Sequence, residues 1–228
     1  MQPNTPGKTD LLRLMQQVEA LQFGQFTLKS GRVSPYFFNS ARFRTGGQLA
    51  RLGHHYAQAI YAAAPDTDIV FGPAYKGVPL CVATAMALAE ISGRDIGYLF
   101  NRKEAKTHGD KGMFVGQQPQ PGQRVAMVDD VITDGLTKHE AVALLREAFD
   151  VDIPALVIAF NRMETDSQGG DALRAFEEKT GIPVIALISV ADVEEAIAAG
   201  DAGGLEVPPG ALEDIRAYRR EFGIGAAG

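Results

Sequence analysis

Two adjacent carboxylates, Asp129 and Asp130, directly follow a short apolar run, Val125–Val128. Pro121 and Gly122 precede that run, so it has the form of a buried strand that starts after a turn. A pair of carboxylates at the end of a strand can hold the hydroxyls of a ribose, a Mg²⁺ ion, or both. This chemistry makes the pair, called the acidic pair below, the first candidate for a functional site.

The residues after the acidic pair favour phosphate binding. The turn Thr133-Asp134-Gly135 leads into a helical pattern, and Thr137 with Glu140 predicts a capping box, which places the helix N-terminus near Thr137. Ligands of parallel α/β sheets bind where strand ends meet helix N-termini, whose free N–H groups attract phosphate. The stretch predicts a site for a phosphorylated sugar, although acidic pairs and Asp-Gly turns also occur in ordinary strand–helix connections.

Motifs and composition argue against several classes of protein. The sequence has no G-x-x-x-x-G-K-[ST], and no G-x-G-x-x-G follows a predicted strand, so P-loop kinases and dinucleotide-dependent dehydrogenases are disfavoured. A formal net charge of −6 argues against nonspecific nucleic-acid binding. The single cysteine, Cys81, excludes an internal disulfide framework and a Cys-rich zinc site, and its apolar surroundings predict a buried, inert thiol.

The length and hydropathy of the chain predict a cytoplasmic globular protein. Its 228 residues suffice for one large domain, or for a domain with an appendage. Charged residues within the first twenty positions argue against a signal peptide. No apolar run approaches the roughly 18 residues of a membrane-spanning helix.

A second candidate segment, Asn101–Gly112, is basic. Four cations against two carboxylates give it a net charge of +2 within an acidic chain, which suggests an anionic ligand. A solvated charged loop is the alternative. The segment follows a predicted strand on the same sheet edge as the acidic pair, and its glycines would permit the motion of a closing lid.

The third segment, Phe26–Asn39, contains the consecutive aromatic residues Phe37 and Phe38. In an extended strand neighbouring side chains face opposite sides, so one ring can fill the core while the other stacks on a planar ligand. From the pattern alone, packing of both rings in the core is favoured.

Strand-like and helical patterns alternate along most of the chain. A hairpin or two short strands are predicted within Phe26–Asn39, around Lys29-Ser30-Gly31. Apolar runs predict strands at Ile69–Phe71, Gly97–Phe100, Val125–Val128, Ala155–Phe160 and Pro183–Ile188. Helical spacing predicts helices at Asp10–Leu21, Leu49–Ala63, Val78–Ile91, from near Thr137, and at Ala172–Lys179, Val193–Ala199 and Ala211–Phe222. This alternation predicts a mostly parallel sheet with helices on both faces, preceded by a separate cap up to about Thr45.

From about Leu11 to Phe222 the chain resembles the orotate phosphoribosyltransferases. The motifs that carry the resemblance are FTLKSGR-x-SPYFFN at Phe26–Asn39, FGPAYKG at Phe71–Gly77, FNRKEAK-x-HG at Phe100–Gly109 and DDVIT-x-G at Asp129–Gly135. The last motif is shared with many enzymes that use phosphoribosyl pyrophosphate, whereas the combination is specific to the orotate enzymes. The resemblance implies a single α/β domain with a five-stranded parallel sheet. This implied domain comprises a hood mainly at residues 1–45, a core at about 46–200 and a C-terminal helical segment at 201–228.

The resemblance also implies where substrates bind. Orotate would contact Phe37, Phe38, Thr133 and Arg162, with Lys29 at the shared substrate site. Pyrophosphate would be held by Tyr75 and Lys76 and by the mobile-loop residues Arg102, Lys103, Lys106 and His108. The phosphoribosyl loop would comprise Asp129, Asp130, Val131, Ile132, Thr133, Asp134, Gly135, Leu136 and Thr137.

The implied activity is transfer of the phosphoribosyl group from phosphoribosyl pyrophosphate to N1 of orotate. Lys106, Asp129 and Asp130 would be the catalytic residues. Mg²⁺ would be the cofactor, bound mainly through the substrate with the acidic pair able to help. The family also implies a homodimer whose mobile loop closes over the partner's site, a cis peptide bond at Ala74–Tyr75, and no nucleic-acid or membrane partner.

Two residues, Asp134 and Leu136, depart from the family pattern. The family usually has small or hydroxyl-bearing residues at these two positions. A carboxylate near the 5′-phosphate is repulsive unless it points away, so we expect Asp134 to face solvent or Lys138. Leu136 cannot donate a hydrogen bond to phosphate. Two alternatives remain: a non-catalytic regulator that binds phosphoribosyl pyrophosphate, disfavoured by the lid cations and acidic charge, and a purine phosphoribosyltransferase, disfavoured by the orotate-type hood.

Overall fold

The structure, a computed structural model, describes residues 7–104, 112–132, 136–166, 168–200 and 205–224. Within these ranges the helices are α1 (Lys8–Gln17), α2 (Gly46–Ala63), α3 (Gly77–Ser92), α4 (Leu136–Ala148), α5 (Ala172–Thr180), α6 (Val190–Ala198) and α7 (Ala211–Phe222). The strands are β1 (Leu21–Thr27), β2 (Val33–Phe38), β3 (Ile69–Phe71), β4 (Gly97–Asn101), β5 (Phe114–Gly116), β6 (Val125–Asp129), β7 (Leu156–Asn161) and β8 (Val184–Ser189). Among the described helices, none is long and apolar enough to cross a bilayer.

The central sheet has the strand order β5-β4-β3-β6-β7-β8. Strands β4, β3, β6, β7 and β8 run parallel, which confirms the predicted five-stranded parallel sheet. A sixth strand, β5, pairs antiparallel with β4 at the edge and was not predicted. With three residues, β5 is too short to give a recognisable hydrophobic pattern.

The strand order reverses beside β3. The chain passes from β3 through α3 to β4 on one side, and later returns to place β6 on the other side of β3. In open α/β sheets such a reversal opens a crevice at the carboxyl ends of the two strands, where ligands bind. We call the space between the ends of β3 and β6 the switch crevice.

Strands β3, β6 and β7 are buried along almost their whole length, as expected for parallel strands covered on both faces. Val70, Ala126 and Val157 face the layer that contains α1, α2, α3 and the strands β1 and β2. Ile69, Met127 and Ile158 belong to the second core cluster, which α4 and α5 cover. The prediction of helices on both faces is therefore confirmed.

Strands β1 and β2 form the predicted antiparallel hairpin, which begins earlier than expected because Leu21 already pairs with Phe38. Helix α1 accordingly ends at Gln17, so the predicted extension to Leu21 was wrong. The hairpin packs against the C-terminal helix, where Tyr36 of β2 meets Tyr218 of α7 edge to face at 6.1 Å. On the core side, Phe38 stacks on Phe160 of β7 at 5.2 Å.

Candidate active site

The acidic pair ends β6 inside the switch crevice, and each of its carboxylates binds a lysine. Lys76 Nζ lies 2.6 Å from Asp130 Oδ2, and Lys138 Nζ lies 2.7 Å from Asp129 Oδ2. Ser40, just after the hairpin, donates a hydrogen bond of 2.9 Å to Asp130 Oδ2. Three separate elements therefore converge on two buried carboxylates, which is the arrangement of a preorganised binding site.

Backbone contacts fix the acidic pair further. Asp129 Oδ1 accepts a hydrogen bond from the Asp130 N–H at 2.8 Å, and Asp130 Oδ1 accepts one from the Val131 N–H at 3.0 Å. The hydroxyl of buried Tyr56, on α2, donates to the carbonyl oxygen of Asp129 at 2.7 Å. Both carboxylates are thus held in one orientation at the end of a rigid strand.

The two carboxyl groups differ in proton affinity. Burial raises the pKa of the Asp129 carboxyl above its usual range, against the opposing effect of the Lys138 charge. Burial also acts to raise the pKa of Asp130, but the hydrogen bond and charge of Lys76, with the hydrogen bond from Ser40, bring that pKa below its usual range. A low pKa for Asp130 means a stable negative charge in the crevice at neutral pH.

Residues 72–77 form a tight turn on the opposite side of the switch crevice. The Ala74–Tyr75 peptide bond is cis, which confirms the bond geometry predicted there. Asn101 Oδ1, at the end of β4, accepts a hydrogen bond from the Ala74 N–H at 3.2 Å. Only glycine fits at Gly72 and Gly77, because a Cβ on either would overlap the backbone of the other.

The basic segment leaves the sheet at the end of β4. Arg102 joins the two ends of this segment. Its backbone N–H donates to the carbonyl oxygen of Met113 at 2.6 Å, and its Nη1 donates to the carbonyl oxygen of Gly112 at 2.9 Å. Lys103 Nζ lies 4.8 Å from the ring centroid of Tyr75, within cation–π distance. The structure therefore brings Arg102, Lys103 and Tyr75 to one place. Lys106 and His108 lie outside the described residues.

A second polar cluster surrounds Arg162, just after β7. Its Nη2 pairs with Glu164 Oε1 at 2.6 Å and donates to Ser34 Oγ at 2.9 Å, while its guanidinium carbon lies 4.4 Å from the ring centroid of Tyr36. Within the described part of the chain its buried Nε has no hydrogen-bond partner. Strand β2 and the segment that follows β7 thus hold this guanidinium between them.

The two phenylalanines of β2 face opposite sides, as expected from strand geometry. Phe38 is buried, whereas Phe37 is half-buried and stacks on Phe26 at 5.5 Å. Phe37 is therefore the ring that has a free side. Lys29 is exposed in the turn between β1 and β2, and among the described residues no hydrogen bond or ion pair joins it to the acidic pair.

The predicted phosphoribosyl loop is described only in part. Val131 and Ile132 pack against the two core clusters, and Thr133, Asp134 and Gly135 lie outside the described residues. Helix α4 is described from Leu136, within one residue of the helix start predicted near Thr137. Leu136 is exposed, and Lys138 binds Asp129. The expectation that Asp134 faces solvent or Lys138 falls outside the described residues.

The acidic pair suits a Mg²⁺ ion that is held mainly by a substrate. Among the described residues, no cluster of three or more His, Cys, Asp or Glu side chains could hold a metal ion by itself. Mg²⁺ often uses one or two carboxylates and completes its coordination with phosphate oxygens and water. The donors present fit that mode of binding.

Sequence reasoning missed several residues that shape this site, namely Ser40, Tyr56, Asn101, Glu164 and, as a partner of Asp129, Lys138. One signal was available for Lys138. A lysine in the first turn of a helix runs against the helix dipole, which favours anions at that end. Such a local conflict indicates that a tertiary contact compensates it.

Comparisons with known proteins point to one family, although no protein-family model matches the chain. A protein of Cellvibrio japonicus named orotate phosphoribosyltransferase is 46% identical over 220 residues, covering 95% of this chain and 97% of the relative. A protein of the same name from Thioalkalivibrio sulfidiphilus is 48% identical and covers 90% and 92% of the two chains. The crystal structure of an orotate phosphoribosyltransferase from Francisella tularensis superposes with a TM-score of 0.79 at 34% identity, covering 93% of this chain and 98% of that one.

Proposed function

The chain belongs to the orotate phosphoribosyltransferases, and we propose that the residues around the switch crevice carry out the reaction of that family. The enzyme transfers the 5-phosphoribosyl group of phosphoribosyl pyrophosphate to N1 of orotate, a step of pyrimidine biosynthesis. The bond from N1 to the anomeric carbon forms, the bond from that carbon to pyrophosphate breaks, and N1 gives up its proton. The products are orotidine 5′-phosphate and pyrophosphate.

The acidic pair is the observation that carries the assignment of residues. Two rigidly held carboxylates, one with a stable negative charge, can accept hydrogen bonds from the two ribose hydroxyls. As the bond to pyrophosphate breaks, positive charge develops on the ribose ring, and carboxylates fixed nearby stabilise it without having to reorient. Asp129 and Asp130 therefore act by positioning and by electrostatics, with no covalent intermediate.

The turn 72–77 and the basic segment Asn101–Gly112, which we call the lid, are assigned to the leaving pyrophosphate. Lys76 reaches across the crevice to Asp130 and has a side chain that is 56% exposed, so it can exchange that carboxylate for a phosphate oxygen. Lys103, Arg102, Lys106 and His108 add cations and hydrogen-bond donors from the lid. When bound through the substrate and the acidic pair, Mg²⁺ would supply further stabilisation of the charge on pyrophosphate.

The Arg162 cluster is assigned to the base. A guanidinium fits a planar carboxylate such as that of orotate, and Glu164, Ser34 and Tyr36 already fix its orientation. Phe37 offers a ring face for stacking on the pyrimidine. The neighbouring ends of β6 and β7 would place ribose and base side by side.

We also propose that the enzyme is a homodimer whose lid closes over the partner's site. Large apolar side chains are exposed near the lid and on α3 and β4, with Tyr75 69%, Met86 71% and Tyr98 41% accessible. Exposed apolar surface of this kind favours burial against a second protein surface. Closure of a lid that carries cations would exclude water and concentrate positive charge on the pyrophosphate.

A cytoplasmic location is part of the same proposal and rests on the acidic composition of the chain.

The test of this function is a panel of bases. Pyrophosphate release from phosphoribosyl pyrophosphate is measured with orotate, uracil, adenine and hypoxanthine at equal concentrations. We expect rapid release with orotate and at least about a hundredfold less with uracil, because uracil lacks the carboxylate that Arg162 binds. Rapid release with adenine or hypoxanthine, or none with orotate although phosphoribosyl pyrophosphate binds, would overturn the assignment.

Replacing Arg162 with Lys should raise the KM for orotate by about ten- to a hundredfold, because lysine lacks the planar array of fixed N–H donors that a guanidinium offers to a carboxylate. The KM for phosphoribosyl pyrophosphate should stay within about twofold, since the ribose site is separate. Steady-state kinetics with each substrate varied in turn measures both. Equal changes in the two constants would argue that Arg162 supports the fold and does not recognise the base.

Replacing Asp134 with Ala should leave the KM for phosphoribosyl pyrophosphate unchanged or lower it. The reason is electrostatic, since a carboxylate near the 5′-phosphate repels it unless its side chain points away. Initial rates at saturating orotate give the constant. A large rise would mean that this carboxylate has a favourable role in binding.

A further inference from the structure

Lys138 is an unusual lysine. It belongs to the first turn of α4, yet it is only 7% exposed, and its ammonium reaches Asp129 Oδ2 at 2.7 Å. Its neighbours Leu136 and Thr137 are both exposed. The side chain therefore turns inward from the helix terminus to the acidic pair.

This placement has two physical costs. A cation in the first helical turn opposes the helix dipole, which destabilises that end of the helix. Lysine side chains are almost never fully buried unless they are paired, because desolvation of the ammonium is unfavourable. Asp129 compensates both, so the position of Lys138 is explained by its carboxylate partner.

The contact also completes the restraint on Asp129. Its Oδ1 accepts the Asp130 N–H and its Oδ2 accepts the Lys138 ammonium, so each oxygen has one fixed donor. An ionised carboxylate has about four acceptor positions, so one on each oxygen remains for a ligand. We infer that Lys138 is a positioning residue of the phosphoribosyl site, which holds the Asp129 carboxylate in the orientation that accepts ribose hydroxyls.

The two lysines of the site therefore have different tasks. Lys76 lies in an irregular turn, is 56% exposed on its side chain, and can leave Asp130 when pyrophosphate binds. Lys138 lies on a helix, is buried, and remains with Asp129. This inference rests on the proposed function, because it assigns Lys138 a task only if Asp129 binds the ribose.

The first experiment compares Lys138→Met with a matched control. Lys8→Met breaks another lysine–aspartate pair of similar length, Lys8 to Asp192 at 2.6 Å, whose lysine side chain is 63% exposed. We expect Lys138→Met to raise the KM for phosphoribosyl pyrophosphate by about tenfold or more, as misplacement of a binding group does. The KM for orotate in this variant, and both constants in the control, should change by less than about twofold.

A double-mutant cycle shows whether Lys138 acts through Asp129. The dissociation constant of phosphoribosyl pyrophosphate with Mg²⁺ is measured by titration calorimetry for the unsubstituted enzyme, for Lys138→Met, for Asp129→Asn and for the double variant. If Lys138 only positions Asp129, Lys138→Met should change the constant by less than about twofold in the Asp129→Asn background. A tenfold weakening there would mean that Lys138 binds the substrate itself, and would overturn the inference.

Thermal denaturation shows whether each variant is folded. If Lys138→Met is unfolded, Lys138→Gln takes its place, since it keeps a hydrogen-bond donor for Oδ2 and should give a smaller rise in the same KM. A folded variant with unchanged constants for both substrates would reduce Lys138 to a structural ion pair. The unsubstituted enzyme separates the two proposals. If it does not convert orotate, the proposed function is wrong. If it and the Lys138→Met variant both convert orotate normally, only the inference about Lys138 is wrong.

Discussion

An Asp130→Asn variant should form orotidine 5′-phosphate with a kcat lower by about 10²- to 10³-fold, the usual effect of removing one preorganised electrostatic contact. The substitution keeps the size of the side chain and removes its charge. In the structure that charge is stabilised by Lys76 and Ser40, so it is present before substrate binds. Its loss removes the group that would favour positive charge on the ribose ring.

Asp152→Asn is the matched control for this prediction. Asp152 also carries a paired carboxylate, bound to Arg124 Nε at 2.9 Å, but it lies before β7, at the opposite end of the sheet from the crevice. We expect kcat of the control to stay within about twofold. Rates are measured with both substrates saturating, after thermal denaturation has shown that both variants are folded. Similar losses in the two variants would indicate a general effect of removing a carboxylate and would count against a special role for Asp130.

A Lys106→Ala variant should also lose about 10²- to 10³-fold in kcat, because Lys106 would be one of the lid cations that stabilise the departing pyrophosphate. The fold should be unaffected, since Lys106 belongs to a polar segment of the sequence without large apolar side chains. The proposed dimer adds a sharper expectation. If the lid of one subunit closes over the partner's site, each active site takes its lid from one subunit and its acidic pair from the other. The Lys106→Ala substitution and an acidic-pair substitution then affect parts of the site that come from different subunits.

Subunit exchange tests that expectation. Lys106→Ala protein is mixed with protein that carries both Asp129→Ala and Asp130→Ala, and the subunits are allowed to re-associate. Each mixed dimer then has one site with both defects and one with neither, so activity should return to about a quarter of the unsubstituted level when half of the dimers are mixed. An inactive mixture, in which native mass spectrometry shows that mixed dimers have formed, would mean that the lid closes over its own subunit.

Local sequence was sufficient for the parallel core. The strand at Ile69–Phe71 was predicted residue for residue. The bounds of β4, β6 and β7 were predicted to within one residue. These strands are continuous apolar runs bounded by turn residues, so the pattern along the chain reflects burial on both faces. The acidic pair could be placed in the site because residues that follow parallel strands gather at one edge of the sheet.

What the sequence did not predict depends on contacts between distant segments. The antiparallel strand β5 exists because Val115 pairs with Phe100, and three residues carry no pattern of their own. Helix α1 is shorter than its apolar spacing suggests, since Leu21 is taken into the hairpin. The pairing of Lys138 with Asp129 required knowledge of where α4 lies relative to β6, because Asp134 is closer to Lys138 in sequence than Asp129 is. Tertiary contacts override local preference at all three places.

The central claim is that the acidic pair binds the ribose while the Arg162 cluster binds the base. A crystal structure of the enzyme with its product, orotidine 5′-phosphate, measures this most directly. We predict ribose hydroxyl oxygens at about 2.6–3.2 Å from the carboxylates of Asp129 and Asp130, and the carboxylate of the base within hydrogen-bond distance of the Arg162 guanidinium. A product molecule whose ribose lies away from the end of β6, with Asp129 and Asp130 still bound only to Lys138 and Lys76, would contradict the account.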